Sequence, residues 1–286
     1  MSIRQLAMAL MNFLPDRLYL SIQYRYHTGK RLKLNPPIRY NEKLQWIKLY
    51  DRNPRYTDLV DKYKVKTIVA KTIGEEYVVP LLAVWDRPEQ ISISKLPNRF
   101  VLKTNHDSKG VLICKDKMSF DLDYAKAFFS SHMRHNGYSY GREWPYKNVE
   151  RKIIAEQYLD AKSEDLVDYK VMCFNGKARL IQLHQGRFTD HYTHDIFDVE
   201  WNRQPFNQFG EKASDKVVEK PIFLDEMIRL SEKLAFGIPH VRVDWYYVDN
   251  HLFFGEMTFF DASGYLDFIP EKYNEIIGSW INLPEK

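Results

Sequence analysis

Residues 240–258 read His240-Val241-Arg242-Val243-Asp244-Trp245-Tyr246-Tyr247-Val248, then Asp249-Asn250, then His251-Leu252-Phe253-Phe254-Gly255-Glu256-Met257-Thr258. Two runs rich in branched and aromatic residues, His240–Val248 and Leu252–Met257, flank a turn dipeptide, the pattern of an antiparallel hairpin. Side-chain alternation puts Arg242 and Asp244 on one face, and Glu256 and Thr258 on one face of the partner strand. Three charges then converge on a surface otherwise lined by Val, Trp and Phe. Uncompensated carboxylates there are costly, so a divalent cation that takes hard oxygen ligands, such as Mg²⁺, is a natural occupant. A purely structural Arg–Asp–Glu network is the competing reading.

The same grammar recurs toward the N terminus. Asn175-Gly176 joins Asp168–Phe174 to Ala178–Gln185, and the polar stretch Thr104–Gly110 joins Arg99–Lys103 to Val111–Cys114. Further strands are expected at Tyr77–Trp85 and Lys152–Leu159. Helices are expected at Arg4–Phe13, at Asn41–Tyr50 with Asn41 as N-cap, at Asp61–Ile73 with Gly74 as C-cap, at Asp123–His135 and at Leu224–Leu234. Gly137–Asn148 reads as an aromatic loop, and the chain after Gln185 reads as loop up to about Val218. Helices mixed with antiparallel hairpins specify an α+β fold rather than a doubly wound parallel sheet.

Composition sets the limits. The 286 residues are 44% hydrophobic and 28% charged, with 12 Gly and 13 Pro, which excludes collagen-like, low-complexity and disordered chains. Apolar runs such as Val78–Val84 are far shorter than the roughly 20 residues that span a bilayer. Cys114 and Cys173 stand alone, and His106, His184, His191 and His194 share no ligand spacing, so neither a disulfide framework nor a zinc cluster is indicated. Residues 1–50 hold nine Lys/Arg and two Asp/Glu, an excess of seven, while the other 236 hold 33 and 36, a net of minus three. That basic arm, with Leu6, Leu10, Phe13, Leu14, Leu18, Tyr19 and Tyr24, either packs on the body or rests on an anionic surface. The cytoplasm, with contact at the inner face of a membrane, is the expected location, and nothing calls for nucleic acid.

Two more stretches can carry chemistry. Lys103 ends a strand and is followed by Thr104-Asn105-His106-Asp107-Ser108-Lys109-Gly110, a loop able to fold over polyphosphate. Ile153-Ile154-Ala155-Glu156-Gln157-Tyr158-Leu159 is an apolar strand with one acid, suited to an adenine, and Asp168 beyond it suits ribose hydroxyls.

Their order is informative: Asp61-Lys62, a strand-Lys-loop-Gly hairpin, an acid-bearing strand, Asp168-Tyr169-Lys170, then Arg-x-Asp and Glu-x-Thr. This sequence resembles the ATP-grasp superfamily. More narrowly, Asn41-Glu42-Lys43-Leu44-Gln45-Trp46, Asp51-Arg52-Asn53-Pro54, Gly141-Arg142-Glu143-Trp144-Pro145-Tyr146-Lys147-Asn148 and Gly255-Glu256-Met257-Thr258-Phe259 resemble the TupA-like ATP-grasp family of bacterial surface-polysaccharide gene clusters, over residues 35–285. The resemblance implies an ATP-grasp fold binding ATP and Mg²⁺, with a helical region 1–60 in place of a full Rossmann-like domain, a small lobe 61–150 and a large lobe 151–286. By the same resemblance Lys62, Lys103, Asn105, Ser108 and Gly110 meet the phosphates, and Glu156, Gln157, Tyr158 and Leu159 line the adenine pocket. Asp168 binds ribose, Lys170 reaches phosphate or substrate, and Arg242 stabilises an oxyanion. Asp244, Glu256 and Thr258 hold metal, Thr258 replacing the asparagine common among relatives. Arg142, Trp144, Ser263 and Gly264 are the candidates for acceptor binding.

The implied activity is an ATP-dependent carboxylate–amine ligase joining an amino acid to a uronic acid of a surface polysaccharide, its partners being ATP, an amino acid and a saccharide acceptor. A glycosyltransferase is the alternative, although its Asp-x-Asp candidate, Asp121-Leu122-Asp123, lacks the preceding Rossmann-like half. A non-catalytic binding protein has no need of phosphate lysines and metal carboxylates in this order.

Overall fold

The computed structural model describes residues 11, 13–160, 167–186, 191–208, 210 and 212–285. The helix expected at Arg4–Phe13 falls almost wholly outside them. The helices are α1 (Asp16–Thr28), α2 (Tyr40–Tyr50), α3 (Arg55–Val60), α4 (Lys64–Ile73), α5 (Leu122–His132), α6 (Gly137–Gly141), α7 (Leu224–Leu234) and α8 (Tyr273–Ser279). The strands are β1 (Leu81–Trp85), β2 (Phe100–Thr104), β3 (Val111–Cys114), β4 (Ile153–Gln157), β5 (Asp168–Phe174), β6 (Lys177–Gln185), β7 (Thr193–Asp198), β8 (His240–Val248) and β9 (His251–Thr258). Among the described residues they form two antiparallel sheets, β1-β4-β2-β3 and β7-β6-β5-β8-β9. The α+β expectation holds.

All three expected hairpins form, and the β8–β9 pair contains the feature that shapes the site. Val243 faces Met257 but Trp245 faces Phe254, so Asp244 stands opposite both Gly255 and Glu256. The pairing of Arg242 with Thr258 and of Val243 with Met257 already sets Asp244 and Glu256 on one side of the sheet, and the bulge takes up Gly255 as the extra residue. Gly255 permits it, because a Cβ there would sit 3.1 Å from the Asp244 carbonyl oxygen.

Several boundaries differ for identifiable reasons. Asp61 interrupts the expected helix Asp61–Ile73: its Oδ1 accepts from the backbone N–H of Tyr63 (2.8 Å) and Lys64 (3.3 Å), capping α4 and leaving Lys62 in a turn. Asn41 lies inside α2 rather than at its cap; Glu42 instead reaches back to the N–H groups of Ile38 and Arg39. The aromatic stretch 137–148 is helical, with α6 followed by a 3₁₀ turn at Trp144–Asn148. The stretch read as loop contains β7, whose polar His194 and Asp195 hide the strand pattern although both are buried against β6. β4, expected in the 151–286 lobe, pairs with β1 and β2 of the first sheet.

Packing orients the two sheets. Under the five-stranded sheet lies α7, with Leu224, Met227, Leu230 and Leu234 buried and Ser231 accepting the indole N–H of Trp245 at 2.8 Å. The first sheet buries Phe100, Leu102, Ile153 and Ala155 against Phe129 of α5. The intervening residues of β2 and β4, Lys103 and Glu156 among them, therefore face the other way. Val78 bridges to Phe254 of β9, tying the two sheets together.

Candidate active site

On that opposite face Glu156 is clasped by two lysines: Lys103 Nζ lies 2.5 Å from Oε2, and Lys66 Nζ of α4 lies 2.6 Å from Oε1. Burial alone would raise the Glu156 carboxyl; the two ammonium groups more than offset it and hold it below the usual range. Burial pushes Lys66 down. The Glu156 side chain thus serves the lysines rather than a base. Gln157 is exposed and its N–H is bonded to the Pro80 carbonyl, whereas Tyr158 and Leu159 stand half-buried beyond the strand end.

Lys62 connects this cluster to the second sheet. From its turn it donates to the Asp107 carbonyl at 2.9 Å and lies 3.3 Å from Glu256 Oε2 on β9. The loop 104–110 is built around Asp107, whose Oδ1 accepts from Thr104 Oγ1 (2.9 Å), Lys109 N (3.0 Å) and Gly110 N (2.6 Å). His132 Nδ1 lies 2.8 Å from the other oxygen. A side chain at Gly110 would collide with the Thr104 hydroxyl. Ser108 and Lys109 are exposed at the tip, free to meet a ligand. Asn105 is not: fully buried, it bonds Asp61 Oδ1, the Glu150 carbonyl and the Lys152 N–H, so it anchors the loop's root instead of meeting phosphate.

On the second sheet Arg242 grips Asp244 with Nε and Nη2, each at 2.7 Å, and pairs through Nη1 with Asp261. Lys170 Nζ lies 2.6 Å from Asp244 Oδ2 and 3.2 Å from Asp168. Burial would raise Asp244, but Arg242 and Lys170 hold it below the usual range, and Lys62 with Arg242 does the same for Glu256. Thr258 accepts from Arg242 Nη2 at 3.2 Å. Half-buried Tyr246, paired with Asp168 across β5 and β8, has its phenol pushed well up by desolvation and by the charges of Asp168, Glu256, Asp244 and Glu156. Five cations (Lys62, Lys66, Lys103, Lys170, Arg242) meet five carboxylates (Glu156, Asp168, Asp244, Glu256, Asp261) along this cleft. Such a row can exchange internal carboxylates for the oxygens of an entering polyanion.

Sequence reasoning missed Lys66 and Asp261. The signals were present: Lys66 follows Asp61-Lys62 by four residues, and Asp261 follows Thr258 by three.

Two acceptor candidates are otherwise engaged. Trp144 is buried in the main core beside Tyr56, with the Arg52 guanidinium 5.6 Å from its ring. Arg142 is buried between the rings of Tyr19 (4.2 Å) and Tyr138 (5.0 Å) and lies 3.4 Å from Asp16. Both bind α1 and α3 to the body and offer no face to a sugar. Ser263 and Gly264, by contrast, adjoin Asp261 and hence Arg242. Ala262, Ser263 and Gly264 have φ of 45°, 54° and 64°, a left-handed run costly for the first two residues. α2 secures it: Gln45 Nε2 donates to the carbonyls of Ser263 (3.0 Å) and Gly264 (2.8 Å), and Lys48 Nζ donates to those of Gly141 (2.7 Å) and Ser263 (2.8 Å). Glu143 accepts from the Ser263 hydroxyl. The Asp121-Leu122-Asp123 candidate is structural, since Asp121 caps α5 by accepting from Tyr124 N at 2.8 Å.

Among solved structures the chain is similar to D-alanine–D-alanine ligase from Bacillus anthracis complexed with ATP: 16% identity, 78% of this chain, 57% of that one, TM-score 0.40. For D-alanine–D-alanine ligase from Helicobacter pylori the values are 14%, 85%, 69% and 0.46. For the ATP-grasp ligase PsnB with minimal precursor, Mg and ADP they are 9%, 77%, 57% and 0.42. The chain thus spans little more than half the length of two of these structures. No curated protein matches. A family model described as TupA-like ATPgrasp matches residues 42–282, most of the chain, and takes in every charged residue of the cleft. This chain therefore belongs to the TupA-like ATP-grasp family.

Proposed function

We propose that the protein is an ATP-dependent carboxylate–amine ligase that joins an amino acid to a uronic acid of a surface polysaccharide. The observation that carries this reading is the row of five cations on exchangeable carboxylates in the cleft between the two sheets, within a chain of this family.

The residues fit the nucleotide and the metal. Lys62, Lys66 and Lys103 border the loop 104–110 and would meet phosphate oxygens, Tyr158 and Leu159 would border the base, and Asp168 would take ribose hydroxyls. Among the described residues no three His, Cys, Asp or Glu side chains converge as a ready cage. Mg²⁺ would therefore rest on Asp244 and Glu256, hard oxygen donors set opposite each other by the β8–β9 register, with Thr258 as a weaker neutral donor. MgATP supplies the phosphoryl group that activates the substrate carboxylate for attack by an amine. Arg242, fixed by Asp244 and Asp261, presents a guanidinium where negative charge develops on the acyl carbon's oxygen. Lys170 adds charge beside it. The segment Ser263–Gly264, held by α2, would border the acceptor.

The test is nucleotide turnover with a matrix of amino acids and uronic acids, reading ADP release and the mass of an amide product. The reading expects ADP release that depends on both a carboxylate and an amine, and its loss in Glu256→Gln. Transfer of a sugar from a sugar nucleotide, without ATP consumption, would replace it by the glycosyltransferase.

A further inference from the structure

The outer half of α1 has no role in the cleft. At roughly 100° per residue, positions 17, 18, 21, 22, 25 and 26 share one side of the helix, and 19, 20, 23 and 24 the other. The inner side is packed: Tyr19, Leu20 and Tyr24 are buried, the Tyr19 hydroxyl donates to the Tyr140 carbonyl at 2.7 Å, and His27 stacks on Tyr265 at 4.8 Å. The outer side leaves Leu18, Ile22 and Tyr26 exposed by 49%, 42% and 75%, and Phe13 just before it by 88%. Arg17 and Arg25 stand among these side chains, and Arg31 approaches from the following segment. All three are exposed, and among the described residues none has a carboxylate partner. An open groove of about 720 Å³ runs between Arg17, Ile22, Arg25, Tyr26, Arg31 and Leu34.

We infer that this face docks on the surface of an anionic phospholipid bilayer. Unpartnered guanidiniums suit lipid phosphates, and the interleaved Phe13, Leu18, Ile22 and Tyr26 suit the boundary between headgroups and acyl chains. Charge complementarity selects this occupant. Arg17, Arg25 and Arg31 bring three exposed positive charges without carboxylate partners among the described residues to this face, whereas the 236 residues after position 50 are net minus three. No described helix is long and apolar enough to cross the bilayer, so contact at the surface is the available mode. The inner side of α1 rests on Tyr265, one residue beyond Gly264, which sets that loop about one helix diameter, ~10 Å, from the headgroups. An acceptor carried at the membrane would reach the cleft from there.

The full chain is sedimented with vesicles of phosphatidylglycerol in phosphatidylcholine and with vesicles of phosphatidylcholine alone. Partition at least about tenfold stronger onto the anionic vesicles is expected, weakening as salt rises. The triple variant Arg17→Glu, Arg25→Glu, Arg31→Glu loses that difference while keeping the wild-type melting temperature. Should it not fold, the milder pair Arg25→Gln, Arg31→Gln gives a partial loss, and Ile22→Ser with Tyr26→Ser weakens binding without altering charge. Equal partition onto both vesicles, undiminished binding by the charge variants, or no binding at all would overturn the inference. So would a dimer, seen by light scattering, that these variants dissolve in the absence of vesicle binding. Failure of the ligase reading leaves vesicle partition unchanged, so the two fail separately.

Discussion

Lys48 and Lys103 are both largely enclosed lysines, but their charges are held by different means. Lys48 is 1% exposed, sits over the rings of Phe260 and Tyr265 at 5.3 and 4.9 Å, and spends its hydrogen bonds on the carbonyls of Gly141 and Ser263. Burial lowers it to about 8, with Glu143 pulling the other way. Its partners are neutral and covalently fixed in the backbone. Lys103 is held by the rotatable end of a side chain, Glu156, which has a second partner in Lys66. A phosphate can replace a carboxylate at Lys103, but nothing replaces a backbone carbonyl at Lys48. On the proposed reading, exchangeability of the partner rather than burial of the charge is what distinguishes the binding site.

The largest effect is expected at the fixed charge. Lys48→Ala strands two buried carbonyls and removes the brace from the left-handed run 262–264, costing about 2–4 kcal/mol in urea unfolding. The folded fraction should keep its nucleotide affinity. An affinity loss as large as the stability loss would erase the contrast between the two lysines.

Lys103→Ala should do the reverse. Losing one charged contact to phosphate weakens nucleotide binding by about 1.5–3 kcal/mol, roughly 10–100-fold. Stability changes little because Lys66 still pairs with Glu156. Calorimetric titration beside a melting curve decides it, and a folded variant with unchanged affinity removes Lys103 from the site.

The smallest effect separates the two regions by pH. Glu156, Asp244 and Glu256 are depressed in the fold, so their stabilisation is complete above their ordinary values of 4.5, 3.8 and 4.5 and is lost as pH falls through the lower folded values. Lys48 is depressed from 10.5 to about 8, so between those values the unfolded chain binds more protons and this group makes stability rise with pH. Urea midpoints across the pH range should lose part of the acid limb in Glu156→Gln and part of the alkaline rise in Lys48→Met. A swap of those limbs would contradict the assignment.

The same contrast explains what is legible in the sequence. Hairpins announce themselves through Asn175-Gly176 and Asp249-Asn250, because turn chemistry is local. Arg242, Asp244 and Glu256 are legible because strand alternation fixes their face. Lys62 is legible although the start of its helix is not, since its place beside Asp61 is the same whether that acid begins α4 or caps it. β7 is hidden because His194 and Asp195 look solvated but are buried, His194 against His184 of β6 and Asp195 against Arg203 and Ser214. Trp144 and Arg142 suggest a sugar site for the converse reason: aromatic and basic residues in a glycine-flanked stretch look exposed until α1 and α3 fold over them. Asn41 reads as an N-cap, and nothing local marks Gln45 or Lys48 as buried; only the return of residues 261–267 against α2 gives all three their buried partners.

Whether the carboxylate-held cations of the cleft form a nucleotide site is decided by thermal unfolding with ATP, ADP and a uridine diphosphate sugar, each with and without Mg²⁺. A ligand bound only by the folded chain adds about 2.7 kcal/mol of stability at a hundred times its Kd and so raises the melting temperature by mass action. ATP and ADP are expected to stabilise the wild type, more strongly with Mg²⁺, while the sugar nucleotide does not and Glu256→Gln loses the Mg²⁺-dependent part. Stabilisation by the sugar nucleotide alone, or an adenine-nucleotide response untouched in both Lys103→Ala and Glu256→Gln, would show that these cations serve some other purpose.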